Sequence, residues 1–121
     1  MSGYVLGIDG GGTSTRAALV AFDGRVLAVG QSGTSNYDDV GVAVAQQNID
    51  LAVAAAAHTA GVARSDCAAV FLGMAGVTSD TDRAHIRQIA HNLALAPDER
   101  IGVVQAGNDD AEQRAGHCAK V

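Results

Sequence analysis

Lysine is nearly missing from this chain: of eight basic residues only Lys120 is a lysine, and thirteen acidic residues leave a formal net charge of −5. No basic stripe is available to neutralise nucleic-acid phosphates, and the same deficit argues against an anionic membrane surface. Aromatic residues make up 3% of the chain and tryptophan is absent, so there is no stacking platform for bases either. The two cysteines, Cys67 and Cys118, form no C-x-x-C, zinc or haem pattern. Both are expected to be small buried hydrophobes in a reducing compartment. His58, His85, His91 and His117 have neither metal-ligand spacing nor a nucleophile beside them. No stretch supplies the roughly 20 apolar residues needed to cross a bilayer. Met1-Ser2-Gly3-Tyr4-Val5 carries no basic segment of a secretory leader, so the expected location is cytoplasmic.

What the chain has in quantity is small aliphatic side chains and glycine: 48% of its 121 residues are hydrophobic, mostly Ala and Val, and fifteen are glycine. That composition suits one compact domain with helices packed closely on a sheet. Tyr4 to Ile8 reads as a buried strand that stops at Asp9 and a glycine cluster. Arg16 to Phe22 and Arg25 to Gly30 read as two strands around Asp23-Gly24, the dipeptide of a type I′ hairpin turn. From about Asp39 to Ala60, Val42, Ala45, Ile49, Ala52, Val53 and Ala56 recur at helical spacing. Asp38 or Asp39 is placed to cap the start and Gly61 the end. Ala68 to Met74 is a further strand. Ser79-Asp80-Thr81-Asp82 opens a helix with Ile86, Ile89, Ala90 and Leu93 on one face. Pro97 interrupts the chain before a strand at Ile101 to Val104, and a last helix is expected from Asn108 to Asp110 onward. The order βββαβαβα predicts an α/β fold, a mixed sheet with helices on both faces.

The loop after the first strand carries the chemistry. Asp9-Gly10-Gly11-Gly12-Thr13-Ser14-Thr15 joins a strand-end acid, three glycines and three hydroxyl residues. Glycines let backbone N–H groups approach an anion and form a nest, and Thr13, Ser14 and Thr15 can add hydroxyl donors. Asp9 is then suited to hold a hydrated Mg²⁺ that offsets phosphate charge. The common nucleotide motifs do not fit: no lysine stands near the loop, and a hairpin follows where the dinucleotide fingerprint needs a helix. The plainer alternative is a glycine-rich turn that binds nothing.

Gly7 to Arg16 resembles the first phosphate motif of the actin, sugar-kinase and heat-shock-chaperone ATPases. Its triple glycine and the Asp-Gly hairpin beyond are most similar to the N-acetylglucosamine kinase branch, grouped with the BadF/BadG/BcrA/BcrD-type ATPases. The resemblance covers essentially the whole chain and implies a ribonuclease H-like, actin-type ATPase domain. It makes residues 1–121 the first, phosphate- and substrate-side domain of a two-domain ATPase or kinase, with the second domain absent. It further implies that Asn36, within Gly33-Thr34-Ser35-Asn36-Tyr37, hydrogen-bonds a sugar, the alternative being a turn or cap asparagine. Gly76 and Val77 become candidate substrate-lining residues, or simply close helix-on-sheet packing. The family's general base is an Asp followed by Ala. Asn108-Asp109-Asp110-Ala111 aligns Asp110 with it, and Asp109 in a shifted register; Asp109 with Glu112 also reads as a helix-capping pair.

The function implied is phosphoryl transfer from Mg-ATP to a hydroxyl of an amino sugar, with ATP and Mg²⁺ as cofactors and this portion alone binding weakly. A small-molecule sugar and ATP are the expected partners, without nucleic acid or membrane, and with self-association as a homodimer. Two alternatives remain. One is a BadF-type ATPase that activates a radical dehydratase or reductase through an iron–sulfur cluster, a role that needs cysteine ligands. The other is a folded module without catalysis.

Overall fold

The computed structural model describes residues 3–105. A five-stranded sheet has the order β3-β2-β1-β4-β5. The strands are β1 (Tyr4–Gly10), β2 (Thr15–Ala21), β3 (Val26–Ser32), β4 (Cys67–Met74) and β5 (Ile101–Gln105). β1 pairs antiparallel with β2 and β2 with β3, while β1, β4 and β5 run parallel. The first strand thus becomes the centre of the sheet. Its nearly unbroken apolar run reflects that position, because a strand covered on both faces has no water-facing side to fill with polar residues.

Between the strands lie α1 (Tyr37–Val40), α2 (Val42–Ala60) and α3 (Asp80–Asn92). Along α2 the buried residues are Ala45, Ile49, Ala52, Val53, Ala56 and Ala57; Ile86, Ile89 and Ala90 are those of α3. They share one core with Tyr4, Leu6 and Ile8 of β1, Leu19 of β2 and Val70 and Leu72 of β4. Both long helices therefore cover the same face of the sheet. On the other face Val5, Val20 and Ala69 cluster beside Phe71. The helix expected from Asn108 lies outside the described residues.

Three local expectations change. The helix expected from Asp39 is broken at Gly41, whose φ of 85° and ψ of 160° no helix accommodates. Its cap is Asn36, whose side chain accepts from the Asp38 N–H, rather than Asp38 or Asp39. Gly61 does end α2 in the left-handed region, at φ 68°. The Asp23-Gly24 turn is not type I′, since only Gly24 has positive φ, at 93°. The Gly24 N–H donates to the Ala21 carbonyl at 2.9 Å, so the turn spans Ala21 to Gly24 with Asp23 at its third position.

One glycine shows how tightly α2 sits. A Cβ on Gly30 of β3 would stand 2.1 Å from the Ala52 carbonyl oxygen and 2.7 Å from the Ala56 nitrogen, so the strand meets the helix backbone directly. Alanine-rich α2 and a glycine in the strand are two halves of one close contact.

Candidate functional site

Because β3 is antiparallel to β2 and β2 to β1, β3 runs parallel to β1, β4 and β5. The carboxyl ends of all four lie along one edge of the sheet. The loops after β1 (11–14), β3 (33–36) and β4 (75–79) leave from that edge, which is where ligands bind in open α/β sheets.

The phosphate-loop candidates divide into two groups. Gly12 and Thr13 are exposed and Gly11 and Ser14 half-buried, with the loop closed by a 2.9 Å bond from the Gly11 N–H to the Ser14 carbonyl. Neither Gly11 nor Gly12 has positive φ. Among the described residues a Cβ on Gly12 would meet nothing within 4 Å, and one on Gly11 only the Ser14 carbonyl at 3.6 Å. Among the described residues neither backbone strain nor packing demands glycine here; what glycine does supply is open backbone. Gly10 differs, because its Cβ would fall 2.4 Å from both Met74 Cε and Ser35 Oγ. Thr15 differs too. It is fully buried, and its hydroxyl donates to the Gly33 carbonyl at 2.8 Å and is bonded to Ser35 Oγ at 2.8 Å. Gly10 and Thr15, expected to face phosphate, are thus committed to the interior by the packing of the β3 loop against β1.

Asp9 is half-buried one residue before the end of β1, paired in register with Arg16 on one side and Gly73 on the other. Among the described residues no group of three His, Cys, Asp or Glu side chains could hold a metal.

The β3 loop is tied to the phosphate loop residue by residue. Thr34 Oγ1 donates to the Gly11 carbonyl at 2.9 Å and accepts from the Asn36 N–H at 3.1 Å. Asn48 of α2 supports this loop from beneath: its Nδ2 donates to the Thr34 carbonyl at 2.7 Å, and its carbonyl accepts from Ser32 Oγ. Asn36 is half-buried, and its Oδ1 accepts from the Asp38 N–H at 3.2 Å. The cap role and the position beside the phosphate loop coexist.

The β4 loop closes the third side. The Ala75 N–H donates to the Gly10 carbonyl at 2.8 Å, and Gly76 takes φ 84°. A Cβ on Gly76 would stand 3.5 Å from Asn36 Oδ1 and 3.6 Å from Asp38 Oδ2, so two expected sugar-side residues are neighbours. Val77 is not with them. The positive φ of Gly76 turns the chain back, the Val77 N–H approaches the Met74 carbonyl at 3.4 Å, and the side chain is buried in the core at 1% exposure. Val77 therefore lines no cleft. Asp109 and Asp110 lie outside the described residues, as do His117 and Cys118.

Sequence reasoning overlooked the members that assemble this edge: Thr34, Ser35, Asn48, Tyr37 and Asp82. The only signal was polarity out of place, a hydroxyl pair between two strands and an asparagine amid the alanines of α2. Tyr37 donates its hydroxyl to Asp82 Oδ1. That bond pushes the Tyr37 phenol up to about 12 and is the first cause holding the Asp82 carboxyl down at about 2.

Residues 6–111 match the BadF/BadG/BcrA/BcrD ATPase family. The chain belongs to this family. Among solved structures it is similar to a Chromobacterium violaceum protein provisionally assigned as an N-acetylglucosamine kinase, at 36% identity and a TM-score of 0.59, over 84% of this chain and 34% of that one. A ROK family glucokinase from Streptomyces griseus, solved with glucose and AMPPNP, matches at 22% identity and 0.61 over 85% and 33%. A reductive activator for a corrinoid, iron–sulfur protein matches at 12% and 0.63 over 85% and 23%. The last two show that the fold is shared. No curated protein gives a significant match. This BadF/BadG/BcrA/BcrD-type chain spans about a third of the length of the kinases it matches. Its five-stranded mixed sheet is the one they use.

Proposed function

We propose that the chain forms the phosphate- and sugar-side domain of an ATP-dependent amino-sugar kinase of the N-acetylglucosamine type. The observation that carries this reading is the Thr34–Gly11 hydrogen bond, which joins the open glycine loop to the loop bearing Asn36 at a single strand edge. Phosphoryl transfer needs the donor phosphate and the acceptor hydroxyl held side by side, since positioning and electrostatics supply most of its catalysis.

In this reading Gly11, Gly12, Thr13 and Ser14 offer backbone and hydroxyl donors to the nucleotide phosphates. Asp9 holds Mg²⁺, which when bound would offset their charge. Asn36, with Oδ1 occupied by the Asp38 N–H, offers its Nδ2 to a sugar hydroxyl beside Gly76. By family resemblance Asp110, or Asp109 in the shifted register, takes the hydroxyl proton. A second domain supplies the remaining phosphate contacts. The homodimer is not part of this reading.

The iron–sulfur activator reading is weaker on one count. Cys67 is buried, its thiol donates to the Ala69 carbonyl at 3.2 Å, and burial pushes it up to about 11. A cluster ligand must be an accessible thiolate.

Thermal melting with Mg-ATP, with and without N-acetylglucosamine, tests the proposal. A ligand present at a hundred times its Kd should stabilise by about 2.7 kcal/mol, a rise of several degrees. The Mg-ATP rise should vanish in Asp9→Asn with Gly11→Val, and the added rise with sugar should vanish in Asn36→Ala. A chain that melts at one temperature under all conditions would refute nucleotide and sugar binding by this domain.

A further inference from the structure

We propose that Asp82 is a positioning residue that locks the β3 and β4 loops together and thereby sets Asn36 against Gly76. The inference rests on the sugar-side reading of Asn36. Asp82 stands in the first turn of α3, outside both loops. Its two carboxylate oxygens work in opposite directions. Oδ1 accepts from the hydroxyl of Tyr37, the residue that follows Asn36. Oδ2 accepts from the Thr78 N–H at 3.1 Å and from Thr78 Oγ1 at 3.3 Å, two residues beyond Gly76. One side chain thus grips both loops. Between the grips, the bare backbone of Gly76 faces Asn36 Oδ1.

Helix capping does not account for this arrangement. Ser79 is the cap, and its hydroxyl accepts from the Asp82 N–H at 3.1 Å. In a capping box the acid at the third helical position turns back to the N–H of the cap residue itself. Asp82 instead reaches one residue further, to Thr78, and across to α1. The Tyr37 ring is held from a second side by His85, edge-on with centroids 5.4 Å apart at 79°. Tyr37 is thus fixed at its tip by Asp82 and along its ring by the next turn of α3. A bond from a hydroxyl to a carboxylate is roughly twice as strong as one between neutral groups. The phenol remains protonated and the carboxyl ionised across the neutral range, in keeping with the directions of their shifts.

Tyr37→Phe, Asp82→Asn, the double variant and Ser79→Ala test the lock in the full chain. Calorimetry would read N-acetylglucosamine affinity in Mg-ATP, and ¹H–¹⁵N spectra would follow the Gly76 and Thr78 amides. Each single variant should weaken sugar binding about tenfold, equivalent to about 1.4 kcal/mol, with Mg-ATP affinity within about twofold of the parent. The double variant should lose no more than either single, because both break one unit. Tyr37→Phe should move the Thr78 amide although Tyr37 lies on α1 and Thr78 in the loop after β4. Ser79→Ala, which removes the cap but leaves the Tyr37 and Thr78 bonds of Asp82 in place, should lower the melting temperature and weaken sugar binding less than either Tyr37→Phe or Asp82→Asn. Unmoved Gly76 and Thr78 amides in Tyr37→Phe, or sugar affinity within about twofold in both single variants, would overturn the lock. A parent chain that binds Mg-ATP but no sugar would instead defeat the sugar-side reading, and the amide shifts would still decide whether Asp82 couples the loops.

Discussion

Three consecutive glycines with the same side chain have different jobs. At Gly10 a methyl group would collide with Met74 and Ser35, whereas at Gly12 it would meet nothing within 4 Å among the described residues. Gly10→Ala is therefore expected to cost about 1–3 kcal/mol by overpacking, measured by urea denaturation. Gly12→Ala should leave stability unchanged or raise it by up to about 1 kcal/mol, because it restricts the unfolded chain. The same substitution should shrink the melting shift produced by Mg-ATP. A large loss of stability in Gly12→Ala would show that the glycine serves folding. Thr15 gives a matching case among the hydroxyls. Thr15→Val would leave the Gly33 carbonyl and the Ser35 hydroxyl without their buried partner, a loss of about 1–3 kcal/mol. Thr15→Ser, which keeps the oxygen, should recover most of it.

At the scale of elements, α2 is positioned by its backbone more than by large side chains. Its buried face is mostly alanine, and Gly30 of β3 lies against the helix main chain near Ala52 and Ala56. Gly30→Ala must push the helix off the sheet, since backbone atoms cannot rotate aside as a side chain would. A loss of about 3 kcal/mol is expected in chemical denaturation. Asn48 rides on that helix and holds the Thr34 carbonyl, so the same substitution should also weaken the Mg-ATP shift. A variant with normal stability would mean that strand and helix separate more easily than the 2.1 Å approach implies.

For the molecule as a whole, the alkaline limit of stability follows from two buried acids. Burial raises Cys67 from 9.0 to about 11 and Tyr4 from 10.0 to about 12. Both groups are neutral when protonated, so folding favours the protonated form and the unfolded chain loses the proton first. Their contribution is complete below pH 9 and falls as pH rises, first through the Cys67 window and then through that of Tyr4. Urea midpoints between pH 8 and 12 should decline in this order. Cys67→Ala should move the onset from near pH 9 to near pH 10, and Tyr4→Phe should reduce the upper part, which Tyr37 shares, at the cost of the bond to the Ala63 carbonyl. A flat profile up to pH 11 would contradict this account.

The amino-acid sequence by itself determined the five strands, most of α2 and α3, the Asp9 to Ser14 loop between β1 and β2, and the family. These are local matters: apolar period, glycine and aspartate at strand ends, and caps such as Ser79 and Gly61 all act within a few residues of themselves. Tertiary structure alone decided which candidates lie open to solvent and which are buried. Thr13 and Thr15 are alike in sequence, yet one is exposed and the other buried, because β3 returns beside β2 and brings Gly33 and Ser35 onto Thr15. Val77 reads like a neighbour of Gly76 until the left-handed turn at Gly76 drives it into the core. Tyr37 and Asp82 are 45 residues apart and meet only because α1 and α3 reach the same edge of the sheet. Contacts between residues distant in sequence leave no periodicity to read, and they arise only when the sheet order places the ends of β1, β3 and β4 side by side.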